Sequence, residues 1–316
     1  MRDYRQLLAL SDDELAQVDP LVMNLLVARD IPSLAHLNIG RYQQMRDEWA
    51  EGVRKRLPHA DKVFARDPGA WKNDINFLRL GVLCEYLADV VGIAYIEEQR
   101  ELKTVPYTNP SDLFLNGVMD RRRGTCGNMS ALHLVVGRKL GWPLSLACAA
   151  GHVFVRYDDG RVKYNLESSH TGLGGWSSPE DQSYIDDYRL TRKAIQCGSD
   201  MTGLGPRETL GLWIGLRARH LHDSGHVAES EADYLLARHL FPVNHNLYFK
   251  GTWATVERGA ELFDPGEEGS PPNLAETILR KFGPHRVPVR RADVAATVDY
   301  RDAIFIEVGR NGRNKR

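Results

Sequence analysis

A thiol, an imidazole and a carboxylate, the groups that nucleophilic acyl chemistry uses, occur on three separate stretches of the chain. Cys126 opens this series in GTCGNMSALHLVVGRKLGW, residues 124–142, where a glycine-flanked turn becomes a helix. A thiol attacks a carbonyl only as thiolate, and two devices favour that form: the positive end of a helix dipole and an imidazole that can hold the proton. The position of Cys126 supplies the first. Gly124 and Gly127 leave the backbone around it open to a substrate, and the N–H groups of the first helical turn can donate to a developing oxyanion. His152, heading the segment HVFVRY after three small residues, is the candidate for the second device. Asn165 and Glu167, two apart in VKYNLE, share one face of a strand, and either can hold the second imidazole nitrogen.

The same residue types also have plainer uses. Unpaired cysteine is commonly a small buried residue, and Cys84 and Cys148 lie among apolar neighbours that mark them as core, while Cys197 in IQCGSD carries no signal. Arg121, Arg122 and Arg123 can attract an acidic group or simply be solvated. His170 in SSHTGLGG can line a cleft. His220, His222, Asp223 and His226 have the composition of a metal set, but a turn after a helix aims them in different directions, so no metal is expected there. No C-x-x-C occurs, so no structural zinc site or disulfide framework is signalled.

Hydrophobic periodicity supplies the elements that must position these groups. SDDELAQVDPLVMNLLVARDIP reads as helix, with a capping-box pattern at Ser11 and Glu14 and a stop at Pro32. A second helix is expected from Ile39 to Leu57. A third places Phe77, Leu80, Cys84, Leu87 and Val91 on one stripe and ends at Gly92. Residues 107–120 read as a turn and a short helix. The helix from Cys126 carries Met129, Leu132, Val136 and Leu140 on one face and ends at Gly141 and Pro143. PLSLACAA, HVFVRY and RVKYNLE then read as strands, the last two joined through Asp158, Asp159 and Gly160, which gives α+β order. Two further helices flank a polar turn at His222 to Gly225, and FDPGEEGSPPN at 263–273 reads as a linker before a basic tail.

At 316 residues, 42% hydrophobic and 26% charged, the chain can bury a core without disulfides, and its net charge of -1 argues against a nucleic-acid surface. The N-terminus lacks a secretory pattern and no run is long enough to cross a bilayer, so a cytoplasmic protein without membrane contact is expected.

The run from Arg121 to Ser169, RRRGTCGNMSALHLVVGRKLGWPLSLACAAGHVFVRYDDGRVKYNLESS, resembles the core of the transglutaminase-like superfamily, papain-like cysteine enzymes. That resemblance implies a nucleophile helix packed on an antiparallel sheet, with the nucleophile at Cys126, the general base at His152, and the family's usual aspartate replaced by Glu167. Glutamate is one methylene longer, so Asn165 is kept as the substitute. The chain is further similar to a bacterial branch in which helices such as DPLVMNLLVARDIP and RYQQMRDEWA precede the core and a tetratricopeptide-like segment follows, a likeness covering residues 18–250. It divides the chain into an N-terminal helical segment (1–70), a transglutaminase-like core (71–200), a helical pair (201–262), and a linker with C-terminal tail (263–316).

The function implied is cysteine-dependent acyl transfer, first of all hydrolysis of a peptide or amide bond through a thioester, with amine transfer as the variant outcome. A peptide or protein is the expected substrate and no cofactor is called for. A second reading keeps the core catalytically idle and makes the C-terminal helices a platform for a protein partner. A third builds a metal-dependent hydrolase on Cys126, His152 and Glu167, without supporting ligand spacing.

Overall fold

Proline and capping residues cut the N-terminal third into short helices. In the computed structural model, which describes residues 3–100, 107–170 and 176–244, α1 spans Arg5–Leu8, α2 Asp12–Ala16 and α3 Pro20–Arg29. The expected single helix is therefore two: Ser11 and Glu14 do form a capping box, but Pro20 takes the first position of α3 because it has no N–H to continue α2. The helix expected over Ile39–Leu57 is α4 (Ile39–Arg54), and a further helix, α5 (Leu57–Arg66), begins where that expectation ends. Helix α6 (Ile75–Glu85) passes into a π-helical turn, Tyr86–Val90, and closes at Gly92, whose φ of 83° only glycine adopts at ease.

Next come β1 (Ala94–Tyr95), α7 (Glu97–Arg100), α8 (Leu115–Arg121) and β2 (Arg123–Gly124), the two strands pairing in parallel. Helix α9 (Cys126–Lys139) follows at once. Its residues from Asn128 to Gly137 are all buried, so the single stripe expected from the sequence understates it: α4, α8 and the main sheet pack around it, and a helix covered on every side needs apolar or small residues all round.

The main sheet has three strands in sequence order, β3 (Leu144–Ala149), β4 (His152–Asp158) and β5 (Lys163–Leu166), all antiparallel. Helix α9 covers one face. The other packs against α10 (Asp181–Tyr188), where Ala147, Ala149, Phe154, Tyr184 and Met201 form a small second core. After α11 (Arg192–Gln196), α12 (Pro206–Asp223) and α13 (Val227–Leu240) form an antiparallel pair, with Gly211 of the first against Leu240 and Phe241 at the end of the second.

One buried hydrophobic cluster runs from Tyr4 through Phe114, Met129 and Val155 to Trp213 and Phe241. It joins the N-terminal helices, α9, one sheet face and the α12–α13 pair. The expected linker at 263–273 and the basic tail lie outside the described residues. Among those described, no helix is long and apolar enough to cross a membrane.

Candidate active site

The turn that presents Cys126 is held by side chains on either side of it. The Thr125 N–H donates to Asn128 Oδ1 at 2.8 Å, and the Thr125 hydroxyl donates to the Asp112 carbonyl at 2.8 Å. Asn128 Nδ2 reaches the carbonyls of Ser111 and Phe114, both at 3.3 Å. The N-terminus of α9 is thereby stapled to the 109–114 turn, which fixes where the first-turn N–H groups point. Gly124 is part of the same clamp. A Cβ there would lie 2.4 Å from Asn128 Oδ1 and 2.8 Å from Met129 Cγ, so its role is close packing and not access for a substrate. Gly127 is the open one: a Cβ there meets nothing nearer than Leu216 Cδ1 at 3.9 Å.

Ser130, one helical turn after Cys126, fastens α9 to the sheet. Its hydroxyl lies 3.0 Å from the Val153 carbonyl and 2.7 Å from the Ser168 hydroxyl. This brings the start of α9 to the start of β4, where His152 stands. The residues Ala150 and Gly151 before it form the tight turn from β3, with Gly151 at φ 71°, so their small size serves the hairpin.

The imidazole of His152 is almost sealed from solvent, and its Nε2 lies 2.7 Å from Glu167 Oε2. Cys126, partly buried at the start of α9, is close enough to the ring that its charge favours the protonated imidazole. With Nε2 committed to Glu167, Nδ1 is the ring nitrogen left for the sulfur. Burial alone would push His152 toward the neutral form; the Glu167 charge, the hydrogen bond the ring donates to Glu167 and nearby Cys126 outweigh it and raise the imidazole above its ordinary value. Burial works against the Glu167 carboxylate as well. The His152 charge, its hydrogen bond and two bonds from Ser169 override that and hold Glu167 below the ordinary carboxylate range.

Every oxygen of Glu167 is engaged. Oε1 accepts from the Ser169 N–H at 3.0 Å and the Ser169 hydroxyl at 2.7 Å, and Oε2 also accepts from the Tyr184 hydroxyl at 2.9 Å. The Tyr188 ring stacks on His152 with centroids 5.2 Å apart and planes 12° apart, and Cys126 acts electrostatically on its hydroxyl. Tyr184 stacks on Phe154 at 4.2 Å. Tyr184 and Tyr188 come from α10, a helix absent from the sequence reading. Their i,i+4 spacing after the acidic start at Asp181 was its available signal.

Asn165 shares a sheet face with Glu167 but stands away from the imidazole. Its Oδ1 accepts from Arg156 Nε at 3.0 Å, and its Nδ2 donates to the Pro179 carbonyl at 3.0 Å and to Asp181 at 2.8 Å. The longer glutamate reaches His152, so the substitute role weighed for Asn165 is not the one its contacts describe.

The neighbouring arginines turn elsewhere. Arg121 bonds Asp112 and the Ser111 carbonyl, Arg122 stacks over Trp49, and Arg123 donates to the Gly92 carbonyl. Cys84 and Cys148 are buried, and burial pushes both thiols up; the Cys197 thiol donates to the Ala194 carbonyl. The side chain of His170 lies outside the described residues. His220, His222 and His226 face separate partners: the Tyr107 carbonyl, Asp223 and Glu229. Among the described residues, no group of three or more His, Cys, Asp or Glu side chains is arranged to hold a metal ion.

Residues 41–188 match the family model described as the transglutaminase-like superfamily. The chain carries a transglutaminase-like domain. Its limits run from the first turn of α4 to the last residue of α10, so Cys126, His152, Glu167, Tyr184 and Tyr188 all lie inside it. Members of that superfamily are usually cysteine-based enzymes, and the mixed helix and sheet architecture is compatible with its α+β core. No match to the chain is found among curated proteins or among solved structures.

Proposed function

We propose that the protein is a cysteine-dependent acyl-transfer enzyme that cleaves a peptide or amide bond. The observation that supports this reading is the single imidazole of His152, held by a buried Glu167 on one nitrogen and raised in part by nearby Cys126, inside a transglutaminase-like domain. In the reaction the Cys126 sulfur attacks the substrate carbonyl carbon, and the resulting oxyanion is met by the N–H groups at the start of α9. The imidazolium of His152 gives its proton to the leaving amine as the C–N bond breaks, which leaves an acyl thioester on Cys126. His152 then takes a proton from water, whose oxygen attacks the thioester; the C–S bond breaks, the acid leaves, and the Cys126 thiolate and His152 imidazolium are restored. Glu167 holds the ring orientation and stabilises its charged form throughout. An amine in place of water gives a new amide by the same steps, and that is the variant outcome.

The test is alkylation with iodoacetamide at mildly acidic pH, mapped at all four cysteines. Cys126 is expected to react faster in the folded chain than in the denatured chain; equal or slower reaction rules out an activated thiol. A panel of peptide amides, incubated with and without a primary amine, then separates acid product from new amide. If Cys126→Ala leaves turnover of every cleaved amide intact, the nucleophile has been misassigned.

A further inference from the structure

Between the N-terminal helices and the α12–α13 pair lies a cavity of about 630 Å³, bounded by α1, the end of α3 and the turn after it on one side. None of its lining residues falls within 41–188, so the transglutaminase-like domain does not account for it. The cavity opens to solvent at His226, Glu229 and Ala232, and its volume lies within the range of sites that take small organic molecules.

The floor of the cavity is charged and buried. Arg217, 3% exposed, forms a two-point pair with Asp233, with Nε to Oδ2 at 2.7 Å and Nη2 to Oδ1 at 2.5 Å. Its Nη1 reaches Asp30 at 2.9 Å, its Nη2 donates to the Tyr4 hydroxyl at 2.7 Å, and its guanidinium lies over the Tyr4 ring at 4.2 Å. Asp30 in turn accepts from Arg5 at 3.0 and 3.2 Å. A buried ion pair seldom stabilises a fold more than apolar residues of the same volume would, so this chain of charges calls for a purpose beyond packing.

The balance of donors and acceptors indicates the ligand. Both guanidinium groups are taken up by Asp30 and Asp233, with Asp3 outside the cavity also pairing Arg5, so Glu229 is left as an added carboxylate among the lining residues. Glu229 stands at the rim, 65% exposed, 4.0 Å from the equally open His226. Deeper in, His220 gives its Nδ1–H to the Tyr107 carbonyl at 2.8 Å, which makes its Nε2 an acceptor while the ring is neutral. Burial and nearby His226 favour that neutral form. Ile31, Pro32, Leu221 and Leu236 supply an apolar wall.

We propose that this cavity binds an organic cation, an ammonium or guanidinium group on a short aliphatic body, with its charge toward Glu229 and its body against Leu221 and Leu236. The same chemistry is offered by a free amine and by a lysine or arginine side chain of a partner.

The experiment titrates the full chain by calorimetry with n-butylamine, with butyrate, and with a lysine-containing tetrapeptide. Saturable binding of butylamine or of the peptide, with none of butyrate, is expected; butylamine binding identifies a free amine as sufficient, and binding of the peptide alone identifies a protein side chain. Glu229→Gln should weaken binding at least about tenfold, as loss of a charge-assisted bond implies. Ala232→Trp, at an exposed lining position, should block it. Both variants should melt as the unaltered protein does and leave alkylation of Cys126 unchanged, which keeps this result separate from the reading of the catalytic site. Butyrate binding as tightly as butylamine, no saturable binding by either cation, or cation binding unaltered in both variants overturns the proposal.

Discussion

His152 Nε2 and Glu167 Oε2 lie 2.7 Å apart with their side chains only 8% and 6% exposed, so the imidazole has a fixed anion beside it that water does not screen. Replacing Glu167 by Gln keeps the shape and removes the charge that raises His152. Alkylation of Cys126 at pH 6 is expected to fall roughly 10²-fold or more, with the whole pH profile displaced to higher pH. The measurement is the pseudo-first-order rate with iodoacetamide from pH 5 to 9; superimposable profiles would remove Glu167 from the machinery.

The same pair makes stability depend on pH, and the two shifts act at opposite ends. Glu167 is depressed, so its contribution is present above the ordinary value of 4.5 and is lost as pH falls toward its folded value. His152 is raised, so its contribution is complete below the ordinary value of 6.5 and is lost as pH climbs through the folded value. The stabilisation is therefore largest between about pH 4.5 and 6.5. Urea melts of the unaltered chain and Glu167→Gln should differ by about 2–4 kcal/mol in that window and converge toward strong alkali. A difference that grows with pH above 7 would contradict the sign.

Tyr184 donates to the same carboxylate oxygen that His152 contacts, which makes it a positioning residue and not a reacting one. Tyr184→Phe keeps the stack on Phe154 and removes only the hydroxyl. With one donor fewer, the Glu167 carboxylate holds a proton more readily. The acidic limb of the Cys126 alkylation profile should move to higher pH, together with a loss of about 1–2 kcal/mol in stability. A stability loss with no change in the limb would make Tyr184 purely structural.

Helix α9 and the three strands were legible because each carries local signals. Gly124 and Gly127 flank the start of the helix, Gly141 takes φ 82° at its end, and β4 alternates His152, Phe154 and Arg156 toward α10 with Val153, Val155 and Tyr157 between. What was not legible depends on partners distant in sequence. Asn128 reads as an ordinary polar residue until the Ser111 and Phe114 carbonyls arrive, and Arg156 as a solvated strand residue until Asn165 and Asp181 close on it. Helix α10 escaped because it follows a glycine- and serine-rich stretch that has the composition of a loop, and its buried face is little more than Tyr184. The choice between Asn165 and Glu167 likewise turned on reach, which only the geometry of β4 against β5 decides.

Asn165 belongs to a clasp separate from the His152–Glu167 pair. It joins Arg156, 4% exposed, to Asp181 and to the Pro179 carbonyl, which holds α10 on the sheet. Asn165→Ala leaves the Arg156 guanidinium short of an acceptor and should cost about 1–3 kcal/mol in a urea melt. The shape of the Cys126 alkylation profile should persist in the folded variant. Collapse of that profile at full stability would instead return Asn165 to the imidazole.

The two glycines beside Cys126 should respond in opposite ways. At Gly124 a methyl group would press on Asn128 Oδ1, Met129 Cγ and Val118 Cγ2, all within 2.9 Å, and dislodge the bond that fixes the Thr125 N–H. Gly124→Ala should therefore destabilise the chain by about 1–3 kcal/mol and slow alkylation of Cys126, because the turn presenting the sulfur moves with Asn128. At Gly127 the same methyl group meets only ordinary contacts, and alanine in the first turn of a helix should preserve stability or raise it by up to about 1 kcal/mol. Small iodoacetamide should still reach the sulfur in Gly127→Ala, whereas a peptide-sized electrophile that must lie along the helix start should react more slowly. Equal slowing of both reagents would show that the methyl group disturbs the thiol itself, and equal rates with the unaltered chain would place the substrate path on another side of Cys126.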